Sequence, residues 1–531
     1  MCALKITPAT RRVMNIGHFL KQSADLYPER KAILWGERSW LWKEFNARVD
    51  AVCVALAKEG VSKGDRILVQ SRNSNTMFET MFAAFKLGAV WVPVNYRLMP
   101  DDVAYIAEAS GSSILLYDSK FTAHADVALK RASALKLVVA LDKARRGESS
   151  WETLVKENAG ESFEAVPVEH DDPCWFFFTS GTTGHPKAAV LTHGQMSFVI
   201  TNHIADLMPG LGPQDVSLVV APLSHGAGIH QLIQVARGTP TVLPASERFD
   251  ADELFRLIAR HGVTNMFTVP SIVKMMVEDP AVDRHDHSSL RHLIYAGAPM
   301  YRADQRYAVG KLGKCLVQYF GLGEVTGNIS VLPPNLHDTD DAKQGRIGSC
   351  GFARTAMQIS IQDESGQELP RGETGEICVI GPAVFAGYFN NDEANAKAFR
   401  KGWFRTGDLG HMDAEGFLYI TGRNSDMFIS GGSNVYPREI EEKILSHPKV
   451  REVAVVGMPD DKWGEIGVAA VVTTEPGCLT ADDLIAWMKP RIAGYKVPRK
   501  VEFFDELPKS GYGKITKKLV REALEAREGV R

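Results

Sequence analysis

No two cysteines stand in a C-x-x-C spacing anywhere in the 531 residues. The seven present (Cys2, Cys53, Cys174, Cys315, Cys350, Cys378, Cys478) are scattered and odd in number. That pattern argues against a disulfide framework or a cysteine zinc site, and it predicts reduced thiols in a cytoplasmic protein. Long apolar runs are missing too. The richest, GAVWVPV, falls far short of the roughly 18 residues of a spanning helix, so no integral membrane segment is expected. The opening MCALKITPATRRVMNIGHFL lacks an uninterrupted apolar h-region, so no secretory signal is expected either. Charge of one sign is not in excess: 61 Lys and Arg against 64 Asp and Glu leave a formal net charge of -3. A nucleic-acid partner would need a basic footprint that this balance does not supply. Internal repeats and low-complexity tracts are absent. What remains is an ordinary globular composition, 45% hydrophobic and 24% charged, in a chain too long for one core. Two or more domains are expected.

Helix and strand signals alternate through the first three hundred residues. SWLWKEFNARVDAVCVALAKEG places Phe45, Val49, Val52 and Leu56 at helical spacing and stops at Gly60. RILVQS, AVWVPV and SILLYD read as short buried strands, with TMFETMFAAFKLG as a helix between the first two. DVSLVVAPL, ADELFRLIARHG, VTNMFTVP and HLIYAGAP continue the alternation, which predicts a mostly parallel sheet flanked by helices. From about Gly345 the pattern changes to strands joined by tight turns such as Asp413-Ala414-Glu415-Gly416, a sign of antiparallel, barrel-like β structure. A polar, Gly-rich passage, NSDMFISGGSNVYP, follows Arg423, and a small α+β module comes after it. Its first helix opens on Pro437, where the missing N–H costs nothing. The expected division is therefore a large α/β domain over 1–424 and a small α+β domain over 425–531.

One loop holds most of the chemistry-bearing residue types. FFFTSGTTGHPKAAVLTH combines Gly181 and Gly184 with the hydroxyls of Thr179, Ser180, Thr182 and Thr183 and with Lys187. Glycines let backbone N–H groups approach a phosphate chain, and the hydroxyls and the lysine add donors. A Walker loop must run from a strand into a helix and place Ser or Thr after its lysine. Here AAVLTH reads as a strand, and Ala188 follows Lys187. The Walker reading fails, and composition alone leaves a phosphate clamp and a solvated hairpin loop both open.

The full string TSGTTGHPK closely resembles the signature of the acyl-adenylate-forming (ANL) superfamily, which includes acyl-CoA synthetases, stand-alone adenylation domains and beetle luciferases. The resemblance spans nearly the whole chain, because YAGAP, QYFGLGE, GWFRTGDLG, GRNSDMFISGGSNVYP and PKSGYGKITKK follow in the family's order. It is strongest with fatty-acid and aromatic-acid CoA ligases. The implied fold is a large N-terminal α/β domain with a small mobile C-terminal lid. The implied reaction joins a small-molecule carboxylic acid to ATP as acyl-AMP, releases pyrophosphate, and passes the acyl group to CoA, with Mg2+ as cofactor. A stand-alone enzyme loading an acyl carrier protein is the alternative, though no carrier domain follows residue 531. The resemblance leaves a homodimer open as well as a monomer.

Roles carry over residue by residue. Thr179 to Gly184 and Lys187 resemble the clamp on the β- and γ-phosphates, and Gly297, Ala298 and Pro299 the adenine turn. Phe320, Gly321 and Gly323 precede Glu324, which resembles the Mg2+ carboxylate. Gly323 stands where the family has a threonine whose hydroxyl meets the α-phosphate; either a backbone N–H or Thr326 is expected to take that role, or the first half-reaction is slower. Asp408 resembles the ribose carboxylate and Arg423 its neighbouring arginine. Lys514, in the flexible SGYGKI, resembles the lysine that bridges acid and α-phosphate. Ser425 occupies the pivot, and Gly431 and Gly432 would line the pantetheine path. His225 resembles the residue gating the acyl pocket, where Gly226, Ala227, Gly228 and Gly321 are expected to leave room and Tyr319 to reshape it. That room disfavours acetate, and no arginine in these stretches invites a second carboxylate. His285, His287 and His292 match no zinc spacing and read as a polar surface loop.

Overall fold

The computed structural model describes residues 13–179, 186–298, 300–337, 339–340, 346–423, 426–430, 433–460, 462–509 and 515–528. Helix Trp42–Lys58 buries Phe45, Val49, Val52 and Leu56 along the predicted stripe. Its first turn is closed by Glu44, whose carboxylate accepts the Leu41 N–H at 2.8 Å. Such amphipathic helices cover two mostly parallel sheets.

The seven-stranded sheet runs Ser149–Ser150, Leu137–Ala140, Ile114–Tyr117, Arg66–Gln70, Val90–Val94, Pro173–Thr179, Lys187–Thr192. All neighbours pair in parallel except the last two strands, which form an antiparallel edge. The nine-stranded sheet centres on the parallel run Leu316–Phe320, His292–Tyr295, Asn265–Thr268, Ser217–Val219, Thr241–Leu243, Lys31–Trp35. Strands buried on both faces read as continuous apolar runs, as these do. Trp91 and Trp175 stand opposite each other across two parallel strands, edge to face at 4.6 Å. Such a pair contributes about 0.5–1.5 kcal/mol beyond its buried area.

A five-stranded antiparallel sheet follows, built from Gln358–Gln362, Gly375–Ile380, Phe399–Arg400, Trp403–Met412 and Leu418–Arg423. Its tight turn has the predicted chemistry: Asp413 accepts the N–H groups of Glu415 and Phe417, and Gly416 takes φ +88°. The last sheet contains Phe428–Ser430, Ser433–Val435, Val450–Asp460, Gly464–Thr473 and Lys500–Phe503, with separate apolar cores on its faces. The first two of these strands form a hairpin within the passage that reads as a Gly-rich loop. Phe428 and Val435 are buried opposite each other there and anchor the hairpin. Helix Pro437–Leu445 starts on its proline, as expected. Of the described cysteines, Cys53, Cys174, Cys315, Cys350 and Cys378 are buried thiols and Cys478 is half-buried. No described helix is long and apolar enough to cross a membrane.

Candidate active site

The strand ends that carry the signature loop stand side by side. Thr179 is the antiparallel partner of Lys187, so the loop joins strand to strand and a helix-opening phosphate loop is ruled out. Ser180, Gly181, Thr182, Thr183 and Gly184 lie outside the described residues. Beside these ends sits Glu324, 5% exposed, on a single 3-10 turn after strand Leu316–Phe320. Its Oε1 accepts from the Thr179 hydroxyl at 3.0 Å and from the Tyr388 hydroxyl at 2.8 Å. Both donors are neutral, so they fix the carboxylate without cancelling its charge. Burial, followed by the adjacent Glu324 charge, pushes the Tyr388 phenol well above its ordinary range, which keeps it a donor. Lys187 Nζ lies 5.1 Å from the centre of the Tyr388 ring. Tyr388 escaped the sequence reading, because it is 64 residues beyond Glu324 and carries no local motif.

Gly323 has a packing reason for lacking a side chain. A Cβ there would lie 2.7 Å from the Phe177 ring and 2.9 Å from Thr179 Cγ2. Thr326 does not supply the missing hydroxyl to a ligand. It is 2% exposed, donates to the Val325 carbonyl at 2.7 Å, and accepts from Asn328 Nδ2 at 3.0 Å. That expected substitution is therefore corrected: the hydroxyl is turned inward and spent within its own turn.

Asp408 and Arg423 are brought together directly. They are register partners of the hairpin Trp403–Met412 with Leu418–Arg423, and Arg423 Nε donates to Asp408 Oδ1 at 3.1 Å. Burial raises the Asp408 carboxyl above its ordinary range, against the opposing pull of Arg423. Gly297 takes φ +82° at the turn after strand His292–Tyr295, with Ala298 next to it, while Pro299 lies outside the described residues. Tyr295, which precedes that turn, is anchored by its hydroxyl to Gln318 at 3.0 Å and to His337 at 3.1 Å.

His225 immediately precedes helix Gly226–Ala236 and lies against Phe177, ring centres 4.5 Å apart. The small residues beyond it leave less room than their size implies. A Cβ at Gly226 would meet the Phe267 ring at 2.9 Å, and one at Gly228 the Leu223 carbonyl at 2.1 Å. At Gly321 it would meet the Gly327 backbone at 2.4 Å. These glycines admit neighbours rather than open space. An arginine is also present nearby, contributed from far along the chain. Arg354 is fully buried, donates to the Gly327 carbonyl at 3.3 Å, and sits 3.5 Å from Asp206.

Lys514, Ser425, Gly431 and Gly432 lie outside the described residues. Lys517, three residues on from Lys514, pairs with Glu441, which also accepts the Val455 N–H. His285 and His287 are held by Asp252 and by backbone carbonyls. Among the described residues no three His, Cys, Asp or Glu side chains cluster to hold a metal.

The family model described as "AMP-binding enzyme" matches residues 20–389, and its C-terminal domain model matches 439–514. The chain belongs to the AMP-binding enzyme family. The family resemblance read from the motifs is thus borne out, as is its large α/β unit followed by a smaller one. Among its relatives, a feruloyl-CoA synthase of Amycolatopsis is 35% identical over 518 residues, covering 96% of this chain and 99% of that protein. An indoleacetate–CoA ligase of Aromatoleum aromaticum is also 35% identical, covering 96% and 98%. An amide bond synthetase from Marinactinospora thermotolerans superposes with a TM-score of 0.86 at 28% identity, over 96% of this chain and 99% of that one. Within the family the chain groups with AMP-forming acyl-CoA ligases that use ATP and CoA.

Proposed function

We propose that this chain activates an aryl acid or a medium- to long-chain fatty acid as its acyl-adenylate and transfers the acyl group to CoA in the cytoplasm. The observation carrying this reading is the buried Glu324 carboxylate, fixed by Thr179 and Tyr388 beside the ends of the signature loop. One carboxylate with hydroxyl neighbours suits Mg2+, which prefers few protein ligands plus phosphate oxygens and water. Held by Glu324, the ion would offset charge on the phosphate chain. Lys187 adds a cation at the same corner, and Thr179 to Gly184 close on the β- and γ-phosphates.

Asp408, tethered by Arg423, accepts the ribose hydroxyls, and Gly297 to Pro299 face the adenine. Phe320, Gly321 and Gly323 border the α-phosphate. The acid's carboxylate oxygen attacks the α-phosphorus, and pyrophosphate leaves with its bonding electrons. The CoA thiolate then attacks the adenylate carbonyl, and AMP leaves. Lys514 bridges the attacking carboxylate and the α-phosphate, where a cation stabilises charge that develops in the transition state. We divide the chain near residue 425, so that the smaller unit swings Lys514 out and brings Gly431 and Gly432 around the thiol path. His225 borders the acyl pocket. Two relatives named for feruloyl and indoleacetate, both ring-bearing, support the aryl arm of the proposal.

A panel from acetate to palmitate, with benzoates and cinnamates, assayed for AMP release with CoA or with a carrier protein, tests the reading. Release that requires CoA and ignores carrier protein is expected. Lys514→Ala should abolish adenylate formation yet still convert pre-made acyl-AMP to thioester. If every acid fails with both acceptors, the ligase reading falls.

A further inference from the structure

His230 is a buried histidine with unpaired nitrogens. It is 2% exposed, and neither ring nitrogen has a hydrogen-bonding partner among the described residues. Its place in the fold is specific. It follows Gly226 by one helical turn, and Phe267 covers both, stacked on the imidazole at 4.4 Å and 13°. Tyr319 lies nearly parallel to Phe267 at 5.9 Å and to His230 at 5.8 Å, and His203 meets His230 edge-on at 5.0 Å. His225, which precedes Gly226, packs on Phe177, the ring that crowds Gly323 next to Glu324. Helix Gly226–Ala236 therefore runs from that corner to His230. His225 to His230 spans about 7.5 Å of helix rise, roughly a ring and a short linker. Gly226 and Phe267 keep partial exposure along the way.

Burial first, and the nearby Arg354 charge second, hold His230 down to about 3, so it is neutral near pH 7 and offers one donor and one acceptor. An alkyl chain at this depth would leave both nitrogens unpaired, and buried polar groups are rarely left so.

We propose that the acyl pocket selects an aromatic acid carrying a neutral hydrogen-bonding substituent at its far end, with the ring stacked along Phe267 and Tyr319 and the substituent bonded to His230. This rests on the acid–CoA ligase reading above and narrows its substrate class.

The test compares kcat/KM for AMP release with CoA across 4-hydroxycinnamate, cinnamate, 4-carboxycinnamate and decanoate, in wild type, His230→Phe and His230→Gln. Wild type should prefer the hydroxylated acid over cinnamate by at least about 10-fold, because a site built to bond a hydroxyl rejects the analogue lacking it. His230→Phe keeps the stack and should bring that ratio within about 2-fold. His230→Gln should retain part of the preference. A ratio that survives His230→Phe overturns the proposal, as does a wild type favouring decanoate or the 4-carboxy acid. The wild-type ranking decides even if a variant fails to fold. A wild type turning over no acid defeats the ligase reading itself, a different result from turnover without hydroxyl preference.

Discussion

Replacing Gly323 with threonine restores the residue type the family usually carries, and on this structure it should damage the enzyme. The new Cβ would lie 2.7 Å from Phe177 Cδ1 and Cε1 and 2.9 Å from Thr179 Cγ2. Neither neighbour yields freely. Phe177 is 5% exposed and held between Trp175 at 5.8 Å and His225 at 4.5 Å, while Thr179 is bonded to Glu324. Inserting atoms into a packed site costs about 1–3 kcal/mol. If that displacement falls on the Thr179–Glu324 contact, adenylation slows by about 5- to 150-fold. Pyrophosphate release in the first half-reaction measures the rate, and a thermal melt reports stability. Phe177→Ala combined with Gly323→Thr should recover part of what the threonine costs, giving a coupling of about 0.5–3 kcal/mol in a double-mutant cycle. An unchanged melt together with equal or faster adenylation in the single variant refutes the argument. That result would mean Phe177 swings aside at no cost and that the absent hydroxyl had limited the rate.

Two further outcomes follow from the same geometry. For the proposed ribose role Asp408 must be ionised, and its carboxyl is raised above the ordinary 3.8 by burial while Arg423 pulls it down. Arg423→Gln removes that downward pull, so the acid limb of kcat/KM for ATP should move to higher pH; a limb that stays put or moves lower rejects the pairing. Tyr388→Phe removes one of two donors to Glu324 Oε1, a bond to a charged group worth about 1.5–3 kcal/mol. It should slow pyrophosphate release by about 10-fold or more, and wild-type rates in that variant would assign Tyr388 to packing alone.

Much of the fold was legible locally, because strands buried on both faces are uninterrupted apolar runs and their ends are marked by Gly, Pro and Asp. RILVQS, AVWVPV and HLIYAGAP carry that signal in their own residues. The order of strands within each sheet was not legible, since it depends on which crossovers pack and not on any one segment. The hairpin of Phe428–Ser430 with Ser433–Val435 was hidden by its polar, Gly-rich composition. In the site, the resemblance made Asp408 and Arg423 neighbours, and the structure sets them on one rung. Tyr388, His230 and Arg354 could not be found that way: their partners are distant in sequence, and a tyrosine, histidine or arginine alone announces nothing. The glycines at 226, 228 and 321 misled in the opposite sense, because residue size indicates permitted approach and leaves unstated what does the approaching.

The Asp408–Arg423 rung is also the last one its hairpin makes before the chain enters another sheet. A ladder opens from its ends, so a load carried along the backbone from the second sheet arrives first at Arg423. The guanidinium that tethers Asp408 is therefore a mooring as well as a charge. Arg423 thus serves two ends at once, closing the last rung of its ladder and tethering Asp408.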